Sequence, residues 1–554
     1  MVALVLAYAG PQFSIAGLHY GRSRSSSSAS AAAGTSTTAA SVTTTGAASS
    51  TTAEPTTAAP PTTTTTTTST TVAPTTTTTV APPVGRRSAM PGWVAVENAR
   101  PGTDAWRIGA NADVGWIEGY ARVPSARPGT ELVLYVDTAA PTFQAAVFRM
   151  GFYGGKQGRL MWTSPPLAAV RQPAPVVDAV TGMAEARWSP SLVVPVGEDW
   201  APGSYLVKLS SSAGGSSYVP ITVRDDAARA DLLVMNATST WQAYTQWGGC
   251  SLYSCNTKGR ARAVKVSFDR PYARQYNDGS ADFLDHELPL VSFVEELGID
   301  AAYATNLDVH DTPGLPRHYR AALSLGHDEY YSRAMRQALV EARDAGTNLG
   351  FFGANAVYRH VRFEPAADGL VGRVMVNYRN GKDPAAVTDV NDATVEWRSQ
   401  RLPEAGLVGI QYLCANVRAD LLVSNSAHWI WAGSGVRDGQ ALPALIGNEA
   451  DGVARPASPA NVEVLASSPV QCGKVTSRAN TSYYTAPSGA GVFATGTIWW
   501  VCALEAKYCS SAPNIAPVRA ATANVLRAFV AGPAGVAHGP VPAPAPVAAP
   551  TSTG

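Results

Sequence analysis

The stretch Ala321-Ala322-Leu323-Ser324-Leu325-Gly326-His327-Asp328-Glu329-Tyr330 changes character in the middle. Five small or apolar residues have the length and composition of a buried strand, and a glycine then breaks the run before three ionisable side chains. Just beyond, Ser332 is placed to cap a helix that carries Met335, Leu339 and Ala342 on one face and stops at Gly346. Leu349 to Gly353 has the look of another buried strand. Upstream lie a strand at Leu232 to Met235, a helix near Leu290 to Leu297 stopped by Gly298, and a strand from Asp300 to Thr305. Strands that alternate with helices pair in parallel and form an open, helix-covered sheet. Ligands of such sheets sit beyond the carboxyl ends of the strands. The polar groups after Met235, Leu325 and Gly353 are therefore expected to share one site.

The surrounding chain has 554 residues, 45% of them apolar, with a formal net charge of +1. That length suits two or three domains, and the balance provides no basic field for nucleic acid or anionic lipid. Met1 to Tyr8 are apolar but lack a basic start and are soon broken at Gly10-Pro11, so residues 1–22 are expected to be a degenerate or mis-started signal segment. Residues 23–85 are almost wholly Ser, Thr, Ala and Pro. Such a segment cannot bury enough apolar surface to offset chain entropy and is expected to be a disordered stalk. Residues 86–226 alternate short apolar runs, such as Glu131 to Val136, Gln144 to Met150 and Ser204 to Leu209, with turn signals at Pro128-Gly129, Gly154-Gly155 and Pro202-Gly203. This pattern predicts an antiparallel β-sandwich. The α/β open-sheet domain, of the glutamine-amidotransferase-like kind, is expected over 227–535, and a disordered Pro/Ala tail over 536–554.

Six cysteines, an even number, point to disulfides in an exported chain. Cys250/Cys255 and Cys502/Cys509 are close enough to close short loops, which leaves Cys414 and Cys472 as a third pair. No Cys-x-x-Cys spacing favours a thiolate metal site. Stalk and cysteines together place the folded part outside the cytoplasm, secreted or at the cell surface.

His327 and Glu329 stand two residues apart, so continued strand geometry projects both to one side. That suits adjacent metal ligands or an acid/base pair. The plainer account is a carboxylate near the N-terminus of the next helix, and for an isolated His-x-Glu it is the better one. Trp241-Gln242-Ala243-Tyr244-Thr245-Gln246-Trp247-Gly248-Gly249 after Met235, and Asn355 after Gly353, shift the balance because three strand ends each present an uncommon polar group. Asp308 and His310 read as structural or substrate-facing. Cysteine catalysis on this fold needs a nucleophile at a strand-to-helix turn. No cysteine lies between Cys255 and Cys414.

These segments, with Ser204-Tyr205, Ser267-Phe268-Asp269-Arg270-Pro271, Gly353-Ala354-Asn355, Leu442 to Glu449 and Gly496-Thr497-Ile498-Trp499, follow one another in an order that resembles the N,N-dimethylformamidase large (beta) subunit family, above all its C-terminal region. Phe148-Arg149-Met150-Gly151-Phe152-Tyr153-Gly154-Gly155 is similar to that family's β-domain signature, and the resemblance spans roughly Gly92 to Gly535. It implies a mononuclear ferric ion, Fe3+, held by two tyrosine phenolates and one glutamate beside a histidine and an asparagine. Carried over by motif, the glutamate is Glu329, the histidine His327, the asparagine Asn355 and the tyrosines Tyr244 and Tyr205, with Tyr253 or Tyr272 as alternatives to Tyr205. Hard anionic oxygen donors suit a hard trivalent cation and leave positions open. The expected function is metal-dependent hydrolysis of an amide bond outside the cytoplasm. The alternative is a non-catalytic surface protein binding glycan or protein on the same fold. Expected partners are a small-molecule or amide substrate and the cell wall or surface. A homo-oligomer is allowed, and nucleic acid is not expected.

Overall fold

The computed structural model describes residues 87–109, 116–256, 259–379, 382–505 and 511–539. The expected signal segment, the stalk up to residue 85 and the tail from residue 540 lie outside the described residues. The protein is built mostly from β-sheets, several in number.

The N-terminal part holds two sheets over one core. Ile117–Ala121, Glu131–Thr138 and Leu192–Pro195 pair antiparallel in that order. The larger sheet centres on Thr142–Met150, Gly203–Ser211 and Ser216–Val223, again antiparallel. Residues of alternating position on each strand, among them Leu132, Leu134, Val136, Val147, Val207 and Val219, share a single buried cluster. This is the period-two pattern of a sheet with one face in the core.

The C-terminal part is organised around a seven-stranded sheet in the order Ala301–Thr305, Leu232–Asn236, Ala321–Leu325, Asn348–Phe352, Gly491–Ala494, Val475–Thr485, Glu463–Cys472. The first five strands are parallel, Val475–Thr485 runs antiparallel to them, and Glu463–Cys472 pairs antiparallel with Val475–Thr485. Successive residues face opposite cores: Leu232, Val234, Leu323 and Leu325 go to one, Leu233, Met235, Ala322 and Phe351 to the other. Burial on both faces is what makes these strands continuous apolar runs. Leu288–Glu296 and Ala512–Ala531 supply Val294 and Phe529 to the first core, and Arg333–Asp344 supplies Met335 and Leu339 to the second. Ser332 caps that last helix by accepting from Met335 N–H.

Chain order across the parallel strands is 2-1-3-4-5, so the direction of winding reverses between Leu232–Asn236 and Ala321–Leu325. A crevice opens at the carboxyl ends of strands at such a switch point. A second sheet, Lys265–Ser267, Val374–Val376, Arg359–Glu364 and Tyr330–Ser332, begins where the first leaves off, and a long hairpin, Gln411–Leu422 with Ala441–Gly452, adds a further two-stranded layer. The packed chain runs past the boundary expected at 535. Ala534–Ala537 is helical, and His538 stacks on Trp429 with ring centroids 4.2 Å apart.

Cys250 is bonded to Cys255 and Cys414 to Cys472. Cys502 is also disulfide-bonded, while Cys509 lies outside the described residues. No described helix is long and apolar enough to cross a membrane. The disulfides are compatible with an extracytoplasmic protein.

Candidate active site

The turn after Leu325 is shaped by backbone packing. Gly326 has φ +55, and a Cβ there would stand 2.7 Å from the His286 carbonyl oxygen. A Cβ on Gly353 would stand 1.5 Å from Gly326 O, so the two strand ends meet backbone to backbone. Only glycine permits that approach. The turn is then fastened to the neighbouring strand end: Thr240 Oγ1 accepts from Glu329 N–H at 2.9 Å and Ser239 Oγ donates to Tyr330 O at 2.8 Å. Asp328 faces away from the crevice and accepts from Asn306, Ser324 and Tyr331. Asp308 and His310 are structural as well, the first completing a capping box with Thr305 and the second bonded to Ser332 Oγ at 2.8 Å.

Glu329 is the centre of the cluster. Tyr244 and Tyr253 both donate to its Oε2, at 2.9 and 2.5 Å. The two rings stack at 4.1 Å because Leu252 N–H donates to Ala243 O and folds the disulfide loop back on the helix Thr238–Tyr244. Arg359 Nε donates to Glu329 Oε1 at 3.2 Å, a position set by the register of Tyr330 against Arg359. Tyr330 OH donates to Tyr253 OH at 2.8 Å and accepts from Arg379 Nη2 at 2.7 Å. Burial, then the charge of Glu329, pushes both Tyr244 and Tyr253 phenols well above their usual range. Among protein groups alone they stay protonated and donate.

His327 lies on the same side. Its Nε2 is 3.6 Å from Glu329 Oε2, 3.2 Å from Glu449 Oε2 and 3.3 Å from Asn355 Nδ2. Burial opposes charge on this ring, but Glu449, Glu329 and Asp282 outweigh it and raise its pKa to about 10. Asn355 is held at φ +59 with its N–H bonded to both oxygens of Asp451, at 2.9 and 3.0 Å. Burial pushes the Asp451 carboxyl up to about 8, against the pull of that N–H.

The structure thus brings Tyr244, His327, Glu329 and Asn355 together, and adds Tyr253 and Glu449. Tyr205 stands apart, contrary to expectation. It is fully buried in the N-terminal core, stacks on Trp200 at 5.4 Å and donates to Ala201 O at 2.6 Å. Tyr272 is not in the cluster either; it packs edge-on against Trp241. The signal for Tyr253 was its place inside a loop closed by Cys250 and Cys255. Glu449 gave little local signal, because it arrives on the long hairpin, where Gly447 lets Trp499 lie against the strand.

Among the described residues no group of three or more His, Cys, Asp and Glu side chains is arranged to hold a metal. The set found here is of another kind, two phenols and a carboxylate on one point. Glu449 Oε2 pairs with His327 Nε2 at 3.2 Å and is buried with no further donor. A hard cation would fit such a donor set, because the two phenols, once deprotonated, and the carboxylate would offer it three anionic oxygens.

No curated protein matches the chain. Among solved structures, a cycloisomaltooligosaccharide glucanotransferase of Paenibacillus sp. complexed with cycloisomaltoheptaose aligns at 10% identity and TM-score 0.13, over 48% of this chain and 34% of that one. This chain spans about a third of that protein's length, and the likeness carries no argument. The family model described as N,N-dimethylformamidase beta subunit-like, C-terminal, matches residues 144–513. That is two thirds of the sequence and includes every member of the cluster, so the chain belongs to the N,N-dimethylformamidase beta subunit-like family.

Proposed function

We propose that this protein hydrolyses an amide bond outside the cytoplasm, with a mononuclear ferric ion held by Tyr244, Tyr253 and Glu329. The observation that carries the proposal is the convergence of two tyrosine hydroxyls on one carboxylate oxygen at the switch point of the sheet. Membership of an amide-hydrolase family supports the reaction class, and the disulfides support the location.

When bound, a ferric ion supplies Lewis acidity, which polarises a carbonyl and lowers the pKa of water. The chain's own residues do the rest. His327, whose Nε2 faces Glu449 and Asn355 beside the cluster, is suited to hand a proton to the leaving amine. Two N–H donors, Nε2 and Asn355 Nδ2, then face each other at 3.3 Å while Asn355 Oδ1 has no partner. Turning the amide by half a turn resolves both: Oδ1 accepts from His327, and Nδ2 becomes a donor for the developing oxyanion. Glu449 Oε2 stands 3.2 Å from the same Nε2 and supports the imidazolium, and Arg359 keeps Glu329 oriented.

The test is hydrolysis of a panel of short amides by iron-loaded full-length protein, with Glu329→Ala as control. Amine release by the wild type, abolished in the variant and by chelation, is the expected result. Iron-loaded wild type no more active than Glu329→Ala on every amide would leave the surface-binding alternative.

A further inference from the structure

Arg270, in the Ser267 to Pro271 segment, is 1% exposed. All its N–H groups are used: Nε donates to Gln242 Oε1 at 2.9 Å, Nη1 to the carbonyls of Trp247 and Cys250 at 3.2 and 2.9 Å, and Nη2 to those of Gln242 and Thr245 at 3.0 and 3.4 Å. Among the described residues no carboxylate pairs with it. Nearby, Arg373 is 2% exposed and gives Nε and Nη2 to Asp269 Oδ1 at 3.2 and 2.9 Å. Its Nη1 is buried without a partner. Asp269 is shared with Arg122 at 3.4 Å, and Arg122 also reaches Asp368. Three guanidinium groups therefore face two carboxylates, and one positive charge is left over.

A cavity of about 20 Å³ lies between these groups. Tyr120, Val219 and Pro220 line it from the N-terminal sheets, and Gln242, Arg270 and Arg373 from the C-terminal part. That volume holds about one water-sized species. Water would satisfy the free N–H but would leave the charge uncompensated, and a buried unpaired charge is costly. A small anion does both.

We propose that this cavity is a binding site for one small monovalent anion, of the size and chemistry of chloride, held by Arg373 Nη1 in the field of Arg270. The carbonyls that Arg270 grips flank Tyr244 and open the disulfide loop that carries Tyr253. Occupancy therefore stabilises the segment bearing both tyrosines, independently of what those tyrosines bind.

The test is thermal unfolding of the full-length protein, moved from sodium gluconate, whose anion is too large for the cavity, into sodium chloride at constant ionic strength. The expected result is a saturating rise in melting temperature of about 2 °C or more, absent in Arg373→Gln. No saturating rise in wild type, or the same rise in the variant, overturns the proposal. Should Arg373→Gln fail to fold, wild-type crystals in bromide at the saturating concentration decide. An anomalous peak beside Arg373 Nη1 supports the site, and water alone there overturns it.

Discussion

Two phenols and a guanidinium converge on Glu329, and this crowding defines what each neighbour can do. With Oε2 occupied by Tyr244 and Tyr253, and Oε1 by Arg359, the carboxylate has no freedom to rotate toward His327. His327 is held instead by Glu449 and Asn355, both of which face its Nε2. His327→Gln is expected to lower kcat by about 10²- to 10⁴-fold while leaving iron content unchanged. Steady-state kinetics beside metal analysis check this, and a loss of iron in step with activity would make His327 a ligand instead. The His-x-Glu pair was legible because a buried strand ends abruptly in charges. Tyr205 misled for an instructive reason: it alternates with Val207 and Leu209, and period two puts all three in the core.

At the scale of elements, the segment after Tyr244 matters most. Arg270 holds three of its carbonyls, those of Thr245, Trp247 and Cys250, and the Cys250–Cys255 bond closes it. Replacing both cysteines by serine removes a five-residue loop constraint, which costs about 2 kcal/mol by the chain-entropy account. Iron affinity is expected to fall further than that, because Tyr253 loses its fixed approach to Glu329. Melting temperature and iron titration, measured on the same variant, separate the two effects; unchanged iron affinity would show that the loop needs no staple. The cysteine spacing announced the loop, but nothing local announced that the loop returns to the sheet. Likewise the hairpin that delivers Glu449 depends on pairing with irregular register, at Tyr412/Cys414 and Ala415/Val417 among others. Periodicity cannot find such strands, since bulges break the alternation.

Across the whole molecule, buried polar links join the N-terminal sheets to the C-terminal part. Arg149 makes a two-pronged ion pair with Glu295 at 2.6 and 2.9 Å, both side chains fully buried, and this explains the arginine in the Phe148 to Gly155 segment. Glu118 accepts from Trp247 Nε1 at 2.7 Å, and burial raises its pKa from 4.5 to about 7, Asp137 adding and Trp247 opposing. Between those values the folded chain keeps a proton that the unfolded chain has released. The contribution of Glu118 to stability therefore falls as pH rises through that window and levels off above it. The loss from Glu118 is on the order of 3 kcal/mol, and Glu118→Gln, which keeps the acceptor, is expected to reduce the fall by that share, leaving the part that Asp451 contributes. Denaturant unfolding at pH 5 and pH 8 checks this, and an unchanged pH dependence in the variant would contradict it. Links of this kind were not legible beforehand, because a lone Glu in a strand and a lone Trp in a loop carry no mark of each other.

Ferric titration of the purified metal-free protein, followed by visible absorption, decides whether Tyr244, Tyr253 and Glu329 bind iron. One iron per chain is expected, with a phenolate-to-ferric absorption band that is weakened and shifted in Tyr244→Phe and in Tyr253→Phe, lost in Glu329→Ala, and unchanged in Tyr205→Phe. A band absent from the wild type, or one that survives Tyr253→Phe and disappears in Tyr205→Phe, would contradict that ligand set.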